Sequence, residues 1–220
     1  MAFLGNTLFY PGCVAKQKAM HLKENYEKLL KELGVNFITI DELPCCGMPM
    51  HYGGYKEDFL EHQERFLELL KEKNVKKIIT LCPACARIFK DEYNLKAVHV
   101  SQVLHDNLRK IKKKSDGEKI SYHDPCELGR KMGIVDEPRE VLKKAGYEIE
   151  EFDENKENAM CCGAGGLLKV NSPRAASRIA ELRLKQAKSK KIVTSCPMCY
   201  LHLKENSDDI AVLEMSEVLL

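Results

Sequence analysis

At 220 residues, with 44% hydrophobic and 31% charged positions, the chain can bury real cores beneath a charged surface, which excludes global disorder. Its 35 basic and 33 acidic residues leave a net charge of +2, too balanced for nonspecific nucleic-acid binding, so no nucleic-acid partner is expected. The N-terminal Met-Ala-Phe-Leu-Gly-Asn lacks a basic leader region, and no apolar run reaches the roughly 18 residues of a membrane span, which predicts a cytoplasmic chain with no direct membrane insertion.

Along the chain, Leu8-Phe9-Tyr10 predicts a short buried strand that delivers Cys13 through the turn Pro11-Gly12. Leu22, Tyr26, Leu29, Leu30 and Leu33 recur at helical spacing, Gly34 is placed to end that helix, and 35–40 reads as the next strand. The loop Cys45-Cys46-Gly47 follows, its glycine suited to a close approach of backbone and ligand. Phe59, Leu60, Gln63, Phe66, Leu67 and Leu70 mark a second amphipathic helix, and 77–81 a strand ending on Cys82, with Pro83 suited to the first turn of a helix.

The second half repeats the plan. A strand over 120–122 meets His123-Asp124-Pro125-Cys126, Pro138 opens a helix through Val141, Leu142 and Ala145 that Gly146 closes, and 147–152 alternates as a strand. Cys161-Cys162-Gly163-Ala164-Gly165-Gly166 precedes a helix over 173–188 whose inner face is Ala176, Ile179, Ala180 and Leu184. Ile192-Val193-Thr194 then ends on Ser195-Cys196. The tails 97–104 and 211–219 also match, and the basic, turn-rich stretch 109–117 between the repeats reads as a solvated helix end and linker.

Alternating strands and helices make an α/β fold of two tandem, similar Rossmann-like units, each with a small, mostly parallel sheet, related by internal duplication; the units are expected at 1–112 and 118–220. All ten cysteines belong to the repeat: Cys13, Cys45, Cys46, Cys82 and Cys85, then Cys126, Cys161, Cys162, Cys196 and Cys199. Each set falls just after strands, where open α/β sheets gather ligands.

Three chemistries compete for such a set. A disulfide framework belongs to small secreted domains poor in core, unlike this chain. Structural zinc needs four thiolates and leaves a fifth cysteine surplus, so zinc in one unit stands as a minor alternative. An iron–sulfur cluster, with several irons, accommodates more thiolates and lets adjacent cysteines bind different irons.

Cys13, Cys45-Cys46-Gly47 and Cys82-Pro83-Ala84-Cys85, then His123-Asp124-Pro125-Cys126, Cys161-Cys162-Gly163 and Cys196-Pro197-Met198-Cys199, resemble the paired cysteine-rich CCG domains of heterodisulfide reductase, in its B subunit and the C-terminal part of its D subunit. Similar domains occur in iron–sulfur subunits of glycolate oxidase, anaerobic glycerol-3-phosphate dehydrogenase and thiol:fumarate reductase. The resemblance implies two CCG domains, each holding a noncubane [4Fe-4S] cluster on its five cysteines. It further implies that the two clusters face one site and split a small-molecule disulfide, such as that of coenzyme M and coenzyme B, with each sulfur captured at an iron. The alternative it implies is an electron-transfer subunit of a flavin dehydrogenase complex of glycolate, lactate or glycerol-3-phosphate type, without a substrate site of its own. The chain has no ferredoxin-type C-x2-C-x2-C-x3-C-P run, so a ferredoxin-like or flavoprotein electron-donor subunit is the expected partner.

Outside the cysteines, His51 and His123 lie close enough in sequence to a ligand to serve as hydrogen-bond partners of a cluster, although structural roles are commoner. His21, His62, His99, His105 and His202 have no motif context. Gly53-Gly54 and 163–166 match neither dinucleotide nor P-loop patterns and read as close backbone approach to the cluster. Arg174 and Arg178 lie one helical turn apart and could receive an anionic substrate, against the commoner reading of a solvated helix face.

Overall fold

A computed structural model describes residues 5–220; the N-terminal segment read above for a leader begins in residues 1–4, which lie outside the described residues. In the first half β1 (Asn6–Tyr10), α1 (Cys13–Lys18), α2 (Met20–Glu32), α3 (Met48–Gly53), α4 (Lys56–Glu72), β2 (Val75–Thr80), α5 (Pro83–Asp91), β3 (Ala97–His99) and α6 (Val100–Asp106) follow in turn. The second half runs β4 (Lys119–His123), α7 (Gly129–Met132), α8 (Asp136–Lys144), β5 (Glu148–Ile149), α9 (Leu168–Asn171), α10 (Pro173–Lys185), β6 (Lys191–Thr194), α11 (Pro197–Glu205), β7 (Ala211–Glu214) and α12 (Met215–Leu219).

Every strand pair is parallel. The sheets order as β1-β2-β3 and β5-β4-β6-β7, and in the first an isolated bridge from Leu8 to Ile38 takes the place that β5 holds in the second. The two halves therefore share one topology.

The two weakest strands are shorter than their sequence pattern. The 35–40 strand shrinks to the bridge at Ile38, fixed by Ile38 N–H to Thr7 O (2.8 Å) and Phe9 N–H to Ile38 O (2.9 Å), and the 147–152 strand to the two residues of β5. An outermost strand has one ladder only, and here side chains anchor it instead: Phe37 packs edge-on against Phe9 and Phe152 is buried. Helices follow their apolar stripes. On α2 Leu22, Tyr26, Leu29 and Leu30 are buried, and Gly34 turns the chain at a φ of 74°. Leu60 of α4, expected inward, is 51% exposed, and the inner face of α10 includes the fully buried Arg183, which no hydrophobic pattern announces. Pro138 is the third residue of α8, which opens at Asp136.

The core crosses between the halves. One apolar cluster joins Phe9, Leu22, Tyr26 and Leu30 to Ile120, Tyr122, Leu142, Tyr200 and Leu219, whereas a second cluster around Tyr10, Phe66 and Phe89 stays in the first half. Contacts between halves are reciprocal: α6 packs on α8, and α12 packs on α2. Each half thus lays its last helix against the first long helix of the other. Tyr26 donates to Glu214 at 2.7 Å across this seam, and His105 meets Glu140 at 2.8 Å. The 109–117 stretch is fastened rather than free, with Ile111 buried, Lys112 paired to Glu32 and Lys114 donating to the Leu220 carbonyl. Among the described residues no helix is long and apolar enough to cross a membrane.

Candidate metal centres

In each half the two central strands end in register, Tyr10 beside Thr80 and His123 beside Thr194. The chain then turns outward, so Cys13 and Cys82 leave one sheet edge together, as do Cys126 and Cys196. Cys82 and Cys196 are the N-cap residues of α5 and α11, with Pro83 and Pro197 in the first turn and Cys85 and Cys199 one turn in. The Cys45-Cys46 and Cys161-Cys162 loops close the sets. Sulfur atoms approach at 3.9 Å (Cys13–Cys45) and 3.1 Å (Cys46–Cys85) in the first half, and at 3.8 Å (Cys126–Cys161) and 3.2 Å (Cys162–Cys199) in the second. These separations are far beyond a disulfide bond of about 2.05 Å, and all ten cysteines are free.

So many thiols at such range cannot share one protonation state. Hydrogen bonds from Cys13 and Cys46, aided by the Gly47 amide, drive the Cys45 thiol far below its usual range, while hydrogen bonds to neighbouring sulfurs, and then burial, drive Cys13, Cys46 and Cys85 up. The second half repeats this with Cys161 low and Cys126, Cys162 and Cys199 high; the Gly163 N–H reaches the Cys161 sulfur at 3.4 Å. Cys82 is also lowered, first by Cys85 and then, against its burial, by amides of the α5 N-terminus. Each set is a concentration of soft donors whose mutual repulsion a multiply charged cationic centre would relieve, and the donor set fits an iron–sulfur cluster.

The glycines beside the paired cysteines serve packing more than ligand approach. Gly47 and Gly163 have φ of 82° and 91°; a Cβ would lie 2.9 Å from the Phe59 ring in the first and 2.7 Å from the Ala176 carbonyl in the second. They seat each cysteine pair against the helix that follows. Gly12, at φ 81°, would bring a Cβ within 3.6 Å of the Cys85 sulfur.

Behind the second set stand two buried polar groups. A ring nitrogen of His123 and the sulfurs of Cys162 and Cys199 lie within 4.8 Å of one another. Arg183 Nε donates to His123 Nδ1 at 3.1 Å, so the imidazole proton sits on Nε2, which has no acceptor among the described residues. His123 is therefore a donor and not a ligand. Burial, then the Arg183 charge, lowers it to about 3. The Arg183 guanidinium stacks 3.6 Å over Phe152 and donates from Nη1 to Glu154 O and Gln186 Oε1, while its Nη2 has no partner among the described residues. Nearby Asp124 is bound at both oxygens by Arg139, which also grips Glu151. Burial thus lowers Arg183 to about 10, whereas hydrogen bonds to Asp124 and Glu151 raise Arg139 despite its burial.

Elements that carry the two sets are linked across the seam. Helix α1, which starts on Cys13, packs on α11, which carries Cys199. Glu127, next to Cys126, accepts from Arg87 Nε and Tyr52 Oη, both at 2.5 Å, and Arg87 is two residues past Cys85. None of this cross-bracing is visible as a motif, and Arg183, Glu127 and Arg87 were not singled out from sequence. The spacing of Arg183 from Cys162 carries no signal.

Of the other expected residues, His51 meets Glu92 at 3.7 Å and packs edge-on to Phe59. His62, expected to be bland, bonds the Cys45 carbonyl at 2.7 Å through Nε2 and so braces the cysteine loop. Among 163–166, Gly165 and Gly166 have open space around them. Arg178 pairs with Glu181 on the exposed face of α10, and Arg174 is exposed beside it.

A family model for the CCG cysteine-rich domain matches residues 7–90 and again 120–204. The D subunit of the dihydromethanophenazine:CoB–CoM heterodisulfide reductase of Methanosarcina acetivorans is 31% identical, over 97% of this chain and 57% of that protein. The B subunit of the fumarate reductase (CoM/CoB) of Methanothermobacter marburgensis is 30% identical over 96% of this chain and 45% of its own, and the EtfAB:quinone oxidoreductase of Syntrophomonas wolfei 31% over 96% and 34%. The chain thus spans little more than half, or less, of the length of these relatives. Because the two matches cover most of the chain and fall on its two topologically equivalent halves, this protein belongs to the CCG cysteine-rich domain family and carries the domain twice.

Proposed function

We propose that the chain is the iron–sulfur subunit of an oxidoreductase in which Cys13, Cys45, Cys46, Cys82 and Cys85 hold one [4Fe-4S] cluster of noncubane type, and Cys126, Cys161, Cys162, Cys196 and Cys199 a second. The two centres together reduce a small-molecule disulfide, of which the coenzyme M–coenzyme B heterodisulfide is the model substrate. The observation that carries this reading is the pair of equivalent five-thiol sets, one in each half, with Arg87 and Tyr52 beside the first bound to Glu127 beside the second. Five thiols exceed the four that zinc takes, and His123, the imidazole beside Cys162 and Cys199, turns an N–H rather than a lone pair to them. When bound, such clusters supply single electrons and iron sites with affinity for sulfur.

The protein's own part is placement. Strand ends fix two cysteines per half, an N-terminal helical turn fixes a third, and a glycine-seated loop supplies the adjacent pair. The Arg87–Glu127–Tyr52 contact holds the two sets in one orientation, which a substrate with two sulfur halves requires. The electrons come from a ferredoxin-like or flavoprotein subunit.

A relative named as an EtfAB:quinone oxidoreductase supports a second reading, in which the same clusters relay electrons from a flavoprotein without binding a disulfide. Metal analysis of anaerobically prepared protein tests what both share: about eight irons and eight sulfides per chain are expected for two four-iron clusters. Stoichiometric zinc without sulfide overturns both. Titration with disulfides under reducing conditions, followed by electron paramagnetic resonance, separates them, since a substrate-dependent cluster signal belongs to reduction at the centres. Normal exchange with an electron donor and no response to any disulfide belongs to the relay.

A further inference from the structure

We infer that the two centres are electronically unequal by construction: His123 and Arg183 act as positioning residues that present an N–H donor and an unpaired positive charge to the second centre, which therefore takes an electron at a higher potential than the first. This rests on the iron–sulfur reading above and goes beyond it, because the two cysteine sets alone are nearly identical.

The two halves differ at equivalent positions. Tyr10 and His123 both end the first strand of their half, each opposite a threonine of the neighbouring strand. On the helix after the cysteine loop, Phe59 and His62 line the space beside Gly47 as Ala176 and Ile179 do beside Gly163. Counting the same number of residues onward from Phe59 and from Ala176 reaches Phe66 in α4 and Arg183 in α10. Where one half has Tyr10 and Phe66, the other has His123 and Arg183.

The physical difference is large. Tyr10 spends its hydroxyl on the Pro44 carbonyl at 2.8 Å and packs against Phe66 and Phe89; Tyr93 likewise donates to the Cys46 carbonyl, and His62 to that of Cys45. Tyr10, Tyr93 and His62, behind the first set, thus spend their donors on backbone, and none of the three is a fixed cation. Behind the second set the His123 Nε2–H is unspent, and its tautomer is fixed because the Arg183 Nε–H can only donate. Among the described residues no carboxylate is bonded to Arg183, since Arg139 occupies both oxygens of Asp124. A hydrogen bond to cluster or thiolate sulfur, and a cation in a low-dielectric pocket, both favour the form with one more electron.

With a one-electron donor such as dithionite supplying each electron, the first electron settles on the second centre. The next reduces the first centre at lower potential, and no bond is made or broken in either step.

The test uses the full chain, prepared anaerobically. Iron and sulfide are measured first, and their absence sinks the iron–sulfur reading itself. With both present, a potentiometric titration followed by electron paramagnetic resonance should resolve two steps. Arg183→Met should lower the upper step and leave the other in place, and Arg183→Lys should recover most of the shift. If wild-type steps coincide, or both move together in Arg183→Met, the inference is wrong. Single-set variants decide the matter even if Arg183→Met loses iron. Cys45→Ser, keeping only the second centre, should show the higher potential and Cys161→Ser the lower; the reverse order overturns the inference.

Discussion

Cys161 is held by a sulfur on either side and by the amide of Gly163, and its half contains no substitute thiol. Cys161→Ser should therefore remove about half of the iron, with the first set left loaded, which iron analysis beside the wild type checks. Glu214, far from the cysteines in sequence, gives a second residue-level expectation. It is fully buried, accepts from Tyr26 Oη, Ser216 N and Ser216 Oγ, faces Glu217 and Tyr122, and burial raises it to about 7 against those hydrogen bonds. A carboxyl whose pKa is higher folded than unfolded binds more protons in the native state, so its contribution falls as pH rises from about 4.5 to about 7. From that rise the loss is roughly 3 kcal/mol, fully present above pH 7. Glu214→Gln should flatten the pH dependence of unfolding by urea over that window, while an unchanged slope would place the effect elsewhere. The cysteine spacing was legible residue by residue, because thiols serve few purposes and every one fell in the pattern. The brace from His62 to Cys45 and the cation at Arg183 were not, since a polar residue on a helix reads the same whether its neighbours are water or a core.

At the scale of elements, the loop after each cysteine pair is set by its glycine. Gly163→Ala forces a side chain into the left-handed region and against the fixed Ala176 carbonyl, and should destabilise the protein by about 1–3 kcal/mol. Gly165→Ala, in open space two residues on, should change the denaturation midpoint little. Equal effects of the two would show that packing against α10 does not fix the loop. The central strands β1, β2, β4 and β6 and the long helices were readable because their apolar periodicity is long or their ends are marked by Pro and Gly. The 35–40 strand and β5 were overread, since alternation predicts which face a residue takes and not how many ladder bonds an edge position finds. Leu60 was invisible as an exception for the related reason that an apolar side chain on a helix can remain exposed.

Across the whole molecule, the reciprocal packing of α6 on α8 and α12 on α2 makes one core of two repeats. Calorimetry should accordingly show a single cooperative transition; two resolved transitions would mean that the halves are stable apart. Residues 118–220 alone would bare the apolar faces of α8 and α12 and should fail to fold. The repeat itself was legible, but a contact between its copies leaves no period in the sequence. The pattern is that of a twofold-symmetric pair of identical subunits, in which a patch on each meets the same patch on the other. In such a pair one codon change alters both sites at once. A single continuous chain lifts that coupling, so Tyr10 and Phe66 can persist at one site while His123 and Arg183 arise at the other, and symmetry becomes a scaffold for two different tasks rather than a rule of sameness.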